Sequence, residues 1–272
     1  MIKVCMIGLG RTGKEIAKAL YEHEDIEVVA CLCSENSSKI DKDLGEIVDI
    51  GETGIKVIGI DKLEKSILNT KPEVIVDFSH HSATIKSAEI ATEMKIGMVV
   101  GTTGFSDEEV EELYNISKRN HGGIVYAPNI TLGVNVSMFL ANIAANILNT
   151  YDFHINEIHH KYKKDAPSGT AKKIAKEIEK GLFSSGIETT KNIPITSIRA
   201  GGVIGKHEIF IVGENDKIEI SHESISRQAF AEGTIRAVKF IKNRVGYYEM
   251  PDVLNLKKIL NDYIDTQCTS SI

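Results

Sequence analysis

The sequence predicts an α/β protein built on a doubly wound parallel sheet, followed by a second domain of α+β type. Three observations carry this. Short apolar runs alternate with amphipathic helical stretches through the first 130 residues, the pattern of βα units in a parallel sheet. A glycine-rich turn follows the first of these runs. After Pro128 the pattern changes to one long apolar helix and several runs in which apolar and polar residues alternate, as expected of a sheet with one covered face.

The elements follow in order. IKVCMIG (2–8) is a short apolar strand, and RTGKEIAKALYEH places Ile16, Ala17 and Leu20 on one helical face. IEVVACLC (26–33) is the second strand and VIVDF (74–78) the third, with a helix in SATIKSAEIATEMKI. GMVVGTT (97–103) leads to a helix from Ser106 to about Arg119, whose S-D-E-E start reads as a capping box. GGIVYAPN (122–129) closes the series. GVNVSMFLANIAANIL (133–148) is the long apolar helix. FHINEIHH, ITSIRAGGVI, HEIFIVG and DKIEISHES then read as strands. SGTAKKIAKEIEKG is a helix with Gly181 as its expected C-cap. AFAEGTIRAVKFIKN (229–243) and PDVLNLKKILND (251–262) are the last helices.

Composition narrows the function. With 42% hydrophobic and 26% charged residues, a chain of 272 residues can bury a core without staples. Its formal charge of −6 offers no basic field for nucleic acid or an anionic membrane surface. No apolar run reaches the roughly 20 residues of a membrane span. The start MIKVCMIGLG runs straight into a strand, without the pattern of a signal peptide. Cys5, Cys31, Cys33 and Cys268 form no C-x-x-C pair and read as reduced thiols. The expected location is the cytoplasm.

The turn Gly8-Leu9-Gly10-Arg11-Thr12-Gly13 lies between a strand and a helix. In that place Gly8 permits the tight turn, Gly10 lets backbone approach a pyrophosphate, and Gly13 permits close helix–strand packing. The phosphates would rest on the N–H groups of the helix start, giving a Rossmann-type dinucleotide site. A glycine turn without a ligand is the alternative. The second strand ends in Cys33 and Ser34 rather than the carboxylate that holds a ribose 2′-hydroxyl. Arg11 could meet a 2′-phosphate, which favours NADPH, while Glu35 keeps NADH open. Two further loops at strand ends, Gly101-Thr102-Thr103-Gly104 and Ala127-Pro128-Asn129-Ile130, stand where open α/β sheets bind ligands. Ordinary turn chemistry would account for them equally.

The chemistry concentrates in EIHHKYKKDAPSGT (157–170). A helix starting near Ser168 offers the N–H groups of Ser168, Gly169 and Thr170 to an anion such as a carboxylate. Histidines and lysines beside it can supply protons. In a continuing strand His159 and His160 point to opposite faces, so they share a ligand only if the strand ends there. The competing account is a solvated basic loop. His80 and His81 make a second pair, but no H-x-x-x-H or Cys/His spacing suggests zinc, and no metal is expected.

The stretch E157-I-H-H-K-Y-K-K-D-A-P-S-G-T-A171 resembles the signature of the dihydrodipicolinate reductase family. V76-D-F-S79, V100-G-T-T-G-F105, A127-P-N129 with G133-V-N-V136, R199-A-G-G-V-I-G-K-H207, and S226-R227 with F230-A231 and G233 resemble its other blocks, in the same order. The likeness covers about residues 2 to 257. It implies reduction of a cyclic imine dicarboxylate by NADPH or NADH on the diaminopimelate route to lysine. His159 would be the general acid and Lys163 a second proton donor. His160, Ser168, Gly169 and Thr170 would hold a substrate carboxylate. Gly8 to Gly13, Ser34, Gly101 to Thr103 and Ala127 to Ile130 would line the nucleotide. The resemblance further implies a dinucleotide-binding domain of residues 1–130 and 241–272. Residues 131–240 would form a substrate-binding and oligomerisation domain with a mixed sheet, assembling a homotetramer. The chain departs from the family on the cofactor side only. Its glycine turn is one residue shorter, Thr12 replaces a methionine, Cys33-Ser34 replaces an acid or base, and Ile130 replaces an aromatic residue. Two other accounts use the same residues: a related nicotinamide-dependent dehydrogenase for another amino acid or imine, and a catalytically silent nucleotide-binding regulator.

Overall fold

The computed structural model describes residues 1–187 and 192–269. They form two units, Met1–Thr131 with Phe230–Ile272, and Leu132–Ala229.

In the first unit seven strands form one sheet: β1 (Ile2–Ile7), β2 (Ile26–Cys33), β3 (Val57–Gly59), β4 (Val74–Asp77), β5 (Gly97–Val100), β6 (Gly123–Tyr126) and β11 (Gly246–Glu249). All pairings are parallel, in the order β3-β2-β1-β4-β5-β6-β11. This is the predicted doubly wound sheet, extended at one edge by β11. The direction of winding reverses between β1 and β4, and ligands of open α/β sheets bind at such a point. β4 and β5 are buried at every position, as strands covered on both faces must be. Met98, Val100, Ile124 and Leu113 are fully buried in the core on one side of this sheet.

The helix α1 (Arg11–Glu22) buries Gly13, Ile16, Ala17 and Leu20, the face read from its spacing. α5 (Asp107–Arg119) opens with the predicted capping box between Ser106 and Glu109. The segment between β2 and β4 carries two short α-helices, α2 (Leu44–Val48) and α3 (Leu63–Thr70).

In the second unit a four-stranded sheet has the order β10-β9-β7-β8, from β7 (Asp152–His159), β8 (Ile195–Arg199), β9 (Lys206–Val212) and β10 (Lys217–Glu223). β7 and β8 are parallel and the other pairs antiparallel, so the sheet is mixed. One face packs on α6 (Leu132–Ile147) and α7 (Gly169–Ser184) through Met138, Ala141, Ile155, Ile174, Ile178 and Ile209.

One expectation needs correction. α7 does not stop at Gly181 but runs to Ser184 and is capped by Ser185. Gly181 is instead a contact point, since a Cβ there would lie 2.3 Å from the Asn142 carbonyl oxygen on α6. The first unit takes up the chain again at Phe230. Helix α8 (Gln228–Ile241) supplies the reason. Ile241 packs against Gly97 of β5, and a Cβ on Gly233 would meet the Ile130 carbonyl at 1.9 Å. The terminal helix is divided into α9 (Met250–Val253) and α10 (Leu256–Thr269), with Asn255 between them at φ 54°.

Candidate active site

The residues expected to line a nucleotide stand at the ends of β1, β4, β5 and β6. Gly8 has φ +91°, and a Cβ on it would lie 2.4 Å from the Phe78 carbonyl oxygen. Gly13 would collide at 2.0 Å with the Gly8 carbonyl. Gly10, the N-cap of α1, has nothing within 4 Å of its Cβ position and no side-chain cap. Its surroundings are open, and no acidic residue stands in the first turn of α1. Such a helix start fits a pyrophosphate. Arg11 and Ser34 are exposed, Thr12 is half-buried, and Leu9 is buried.

The other predicted nucleotide residues divide. Gly101 lies against the Phe78 ring, where a Cβ would meet Cζ at 2.1 Å. Thr103 is exposed. Thr102 is buried and committed inward: its hydroxyl accepts from the Ser79 N–H at 2.9 Å and donates to Asp77 Oδ1 at 3.0 Å. Asp77 Oδ1 also accepts from the Ser79 N–H at 2.8 Å and its hydroxyl at 2.6 Å. Burial raises the Asp77 carboxyl above its ordinary pKa. Asp77 therefore ties the β4 loop to the Gly101 loop. Ala127 and Ile130 are buried, and Pro128 and Asn129 are half-buried. His81 lies apart from the His159 cluster in sequence and is held by Glu109 at 2.6 Å, while His80 caps helix α4 (His81–Glu93).

In the second unit β7 ends at His159, so the histidine pair falls where the strand stops. His159 is buried and His160 half-buried. Strand alternation puts Glu157 on the same face as His159, and its Oε2 is in contact with His159 Nδ1. Glu157 Oε1 accepts from Arg199 Nη2 at 2.8 Å and from the Ser168 N–H at 3.2 Å. Burial would raise the Glu157 carboxyl, but Arg199 and His159 hold it down to about 2. His207 on β9 meets the His159 ring edge-on at 5.2 Å between centroids. Burial, helped by His159, pushes His207 down to about 4. Burial also lowers His159, against the pull of Glu157.

Lys163 is ion-paired with Asp165 at 2.8 Å. Ser168 caps α7 by accepting from the Ala171 N–H at 3.1 Å. Gly169 is exposed with nothing near its Cβ position, and the first turn carries no acid. That combination suits a carboxylate. Thr170 is half-buried on the same turn. Lys161 and Lys164 are exposed, as a solvated face requires.

Three residues gained no role from the sequence: Glu157, Arg199 and His207. Glu157 could have been found from the two-residue period alone. Arg199 and His207 become visible only through register, which pairs His159 with Arg199 and Glu157 with His207. Glu157, His159 and His207 also offer one atom each within 4.8 Å of one another, the makings of a metal site. Arg199 and Lys163 place two cations on the same cluster, which opposes a divalent ion there.

The chain matches two family models along nearly all of its length. Residues 2–130 match dihydrodipicolinate reductase, N-terminus, and residues 133–254 match dihydrodipicolinate reductase, C-terminus. The 4-hydroxy-tetrahydrodipicolinate reductase of Methanococcus aeolicus is 38% identical, over 95% of this chain and 100% of that protein. That of Methanocaldococcus jannaschii is 37% identical, over 95% and 99%. Among solved structures, a dipicolinate-bound dihydrodipicolinate reductase from Paenisporosarcina sp. TG-14 superposes with a TM-score of 0.75 and 28% identity, over 92% of this chain and 97% of that one. With both halves matched and full-length relatives above 30% identity, the chain belongs to the dihydrodipicolinate reductase family.

Proposed function

We propose that the chain reduces 4-hydroxy-tetrahydrodipicolinate, or the dihydrodipicolinate formed from it, to tetrahydrodipicolinate with NAD(P)H, on the diaminopimelate route to lysine. The observation that carries this is the pairing, within one unit, of a buried imidazole backed by a carboxylate with an acid-free helix start ten residues further along the chain. One is a proton donor and the other a carboxylate seat.

The reduced nicotinamide supplies the hydride for the ring carbon conjugated with the imine. His159 gives the proton that quenches the charge developing on the ring, and Lys163 is the second donor once it leaves Asp165. His160, Ser168, Gly169 and Thr170 hold a substrate carboxylate through the imidazole and the N–H groups of the helix start. Gly8 to Gly13 hold the pyrophosphate. Gly101 and Thr103, with the Ala127–Ile130 loop, line the nucleotide, while Thr102 acts by fixing its loop. Exposed Arg11, with no acid at Cys33 or Ser34, favours NADPH over NADH. The assembly is a homotetramer, and the enzyme works in the cytoplasm.

The test is oxidation of NADPH and NADH followed with the product of the preceding synthase step, generated in situ. Both nucleotides should be oxidised, NADPH at the lower KM, and Arg11→Ala should remove that difference. His159→Ala and Lys163→Ala should each lower kcat by roughly 10²- to 10⁴-fold. No oxidation of either nucleotide by the wild-type protein would refute the activity.

A further inference from the structure

Among the described residues of the second unit, Glu157 is the most enclosed carboxylate, with no exposed side-chain surface. Its two oxygens have different duties. Oε1 is pinned by the Arg199 guanidinium and the Ser168 amide, and Oε2 meets the imidazole of His159. Arg199 is itself anchored, since Nη2 also donates to the Asp165 carbonyl at 2.5 Å and Nη1 to the Ile198 carbonyl at 2.9 Å. The carboxylate is thus held on one side and aimed on the other. A carboxylate beside one ring nitrogen fixes the tautomer, because that nitrogen keeps its proton to donate.

We infer that Glu157, clamped by Arg199, is a positioning residue that holds the proton of His159 on Nδ1 and leaves Nε2 as the atom that gives and takes the catalytic proton.

Two other features agree. The space beside Nε2 is kept clear by Gly205, where a Cβ would stand 3.1 Å from that nitrogen. His207 touches the His159 ring but is held neutral by burial, so it brings no competing charge. The charged and titratable groups facing His159 are Glu157 on its own strand, Arg199 on β8, His207 on β9 and Lys163 in the loop that follows. Among these Glu157 alone draws the imidazole toward its charged form. A buried ion pair could instead serve packing only, and the two roles differ in what they do to titration.

The inference rests on His159 being the proton donor, so the experiment separates the two. In the full-length protein, the imidazole of His159 is titrated by NMR, its resonance identified by loss in His159→Asn. The pH profile of kcat/KM is measured alongside. A donor that must be protonated makes kcat/KM fall as pH rises through its pKa. Removing the Glu157 charge takes away a stabiliser of the imidazolium, so both the titration and the falling limb should move to lower pH in Glu157→Gln. kcat should drop about 10²-fold with little change in substrate KM. A His159 titration and a pH profile unchanged in Glu157→Gln would overturn the inference. Normal turnover in His159→Asn would instead overturn the donor assignment, whatever Glu157 does. If Glu157→Gln does not fold, Glu157→Asp carries the test. It keeps the charge but withdraws it by one methylene, so a smaller shift in the same direction is expected, and no shift refutes the role.

Discussion

Gly10 and Gly13 belong to one motif but answer to different constraints. Gly13 is required by the protein itself, because any side chain would drive into the Gly8 carbonyl. Gly10 has open space around it and an ordinary φ of −70°, so its contacts within the fold do not require it to be small, whereas the proposed pyrophosphate would. Gly13→Ala should therefore lower stability by roughly 1–3 kcal/mol, measured by urea unfolding. Gly10→Ala should leave the melting temperature in place and raise the nucleotide KM about tenfold or more, which direct nucleotide titration would check. Buried His207 adds a prediction in pH. The unfolded chain takes up a proton on this residue near 6.5, while the folded chain resists until about 4. The stability it confers is complete above 6.5 and is lost as pH falls from 6.5 toward 4. The unfolding midpoint should drop across that window, and His207→Asn should flatten the drop. Glu157 acts in a lower window, from 4.5 down to about 2.

At the scale of elements, α6 and α7 are joined through Gly181. A methyl group there would meet both the Asn142 carbonyl and the Ala145 Cβ, the latter at 2.9 Å. Asn142 and Asn146 also donate across the contact, to the Glu177 and Gly181 carbonyls. Gly181→Val should destabilise the protein by about 1–3 kcal/mol through forced separation of the helices, seen as a lower midpoint with an unchanged denaturant slope. From the sequence this glycine reads as a cap, because a terminus and a close crossing place the same demand on the residue. Strongly periodic elements such as α1, β2 and α5 are legible within a residue or so of their ends. β3 and β11 are not: they have three and four residues, and the pairings Cys31 with Val57 and Tyr248 with Val125 hold them in place. The site divides likewise. His159 and the Ser168–Thr170 helix start are local in sequence, and Glu157 follows from alternation. Arg199 and His207 come from other strands, and only the register of β7 with β8 and β9 brings them in.

For the whole molecule, the second face of the mixed sheet bears on assembly. One face is covered by α6 and α7, while Ile198 and Val212 on the other are each 40% exposed. Neighbouring Ile158 and Phe210 are half-buried on that same face. A second copy of the chain would cover them, in line with the proposed homotetramer. Light scattering should give four times the monomer mass, and Ile198→Glu with Val212→Glu should yield smaller species. A wild-type monomer would contradict the proposal. Among the described residues, no helix is long and apolar enough to cross a membrane. The strand register that supports His159 has a consequence for how such proteins are identified and built. The string EIHHKYKKDAPSGT is only one strand's share of the proposed acid, because Arg199, the partner of Glu157, arrives about forty residues later on β8. On the role inferred for Glu157, a chain could carry that string letter for letter and, lacking the arginine on the neighbouring strand, display the signature of the family without its proton chemistry. Grafted alone into a foreign sheet, it would be an inscription rather than a catalyst.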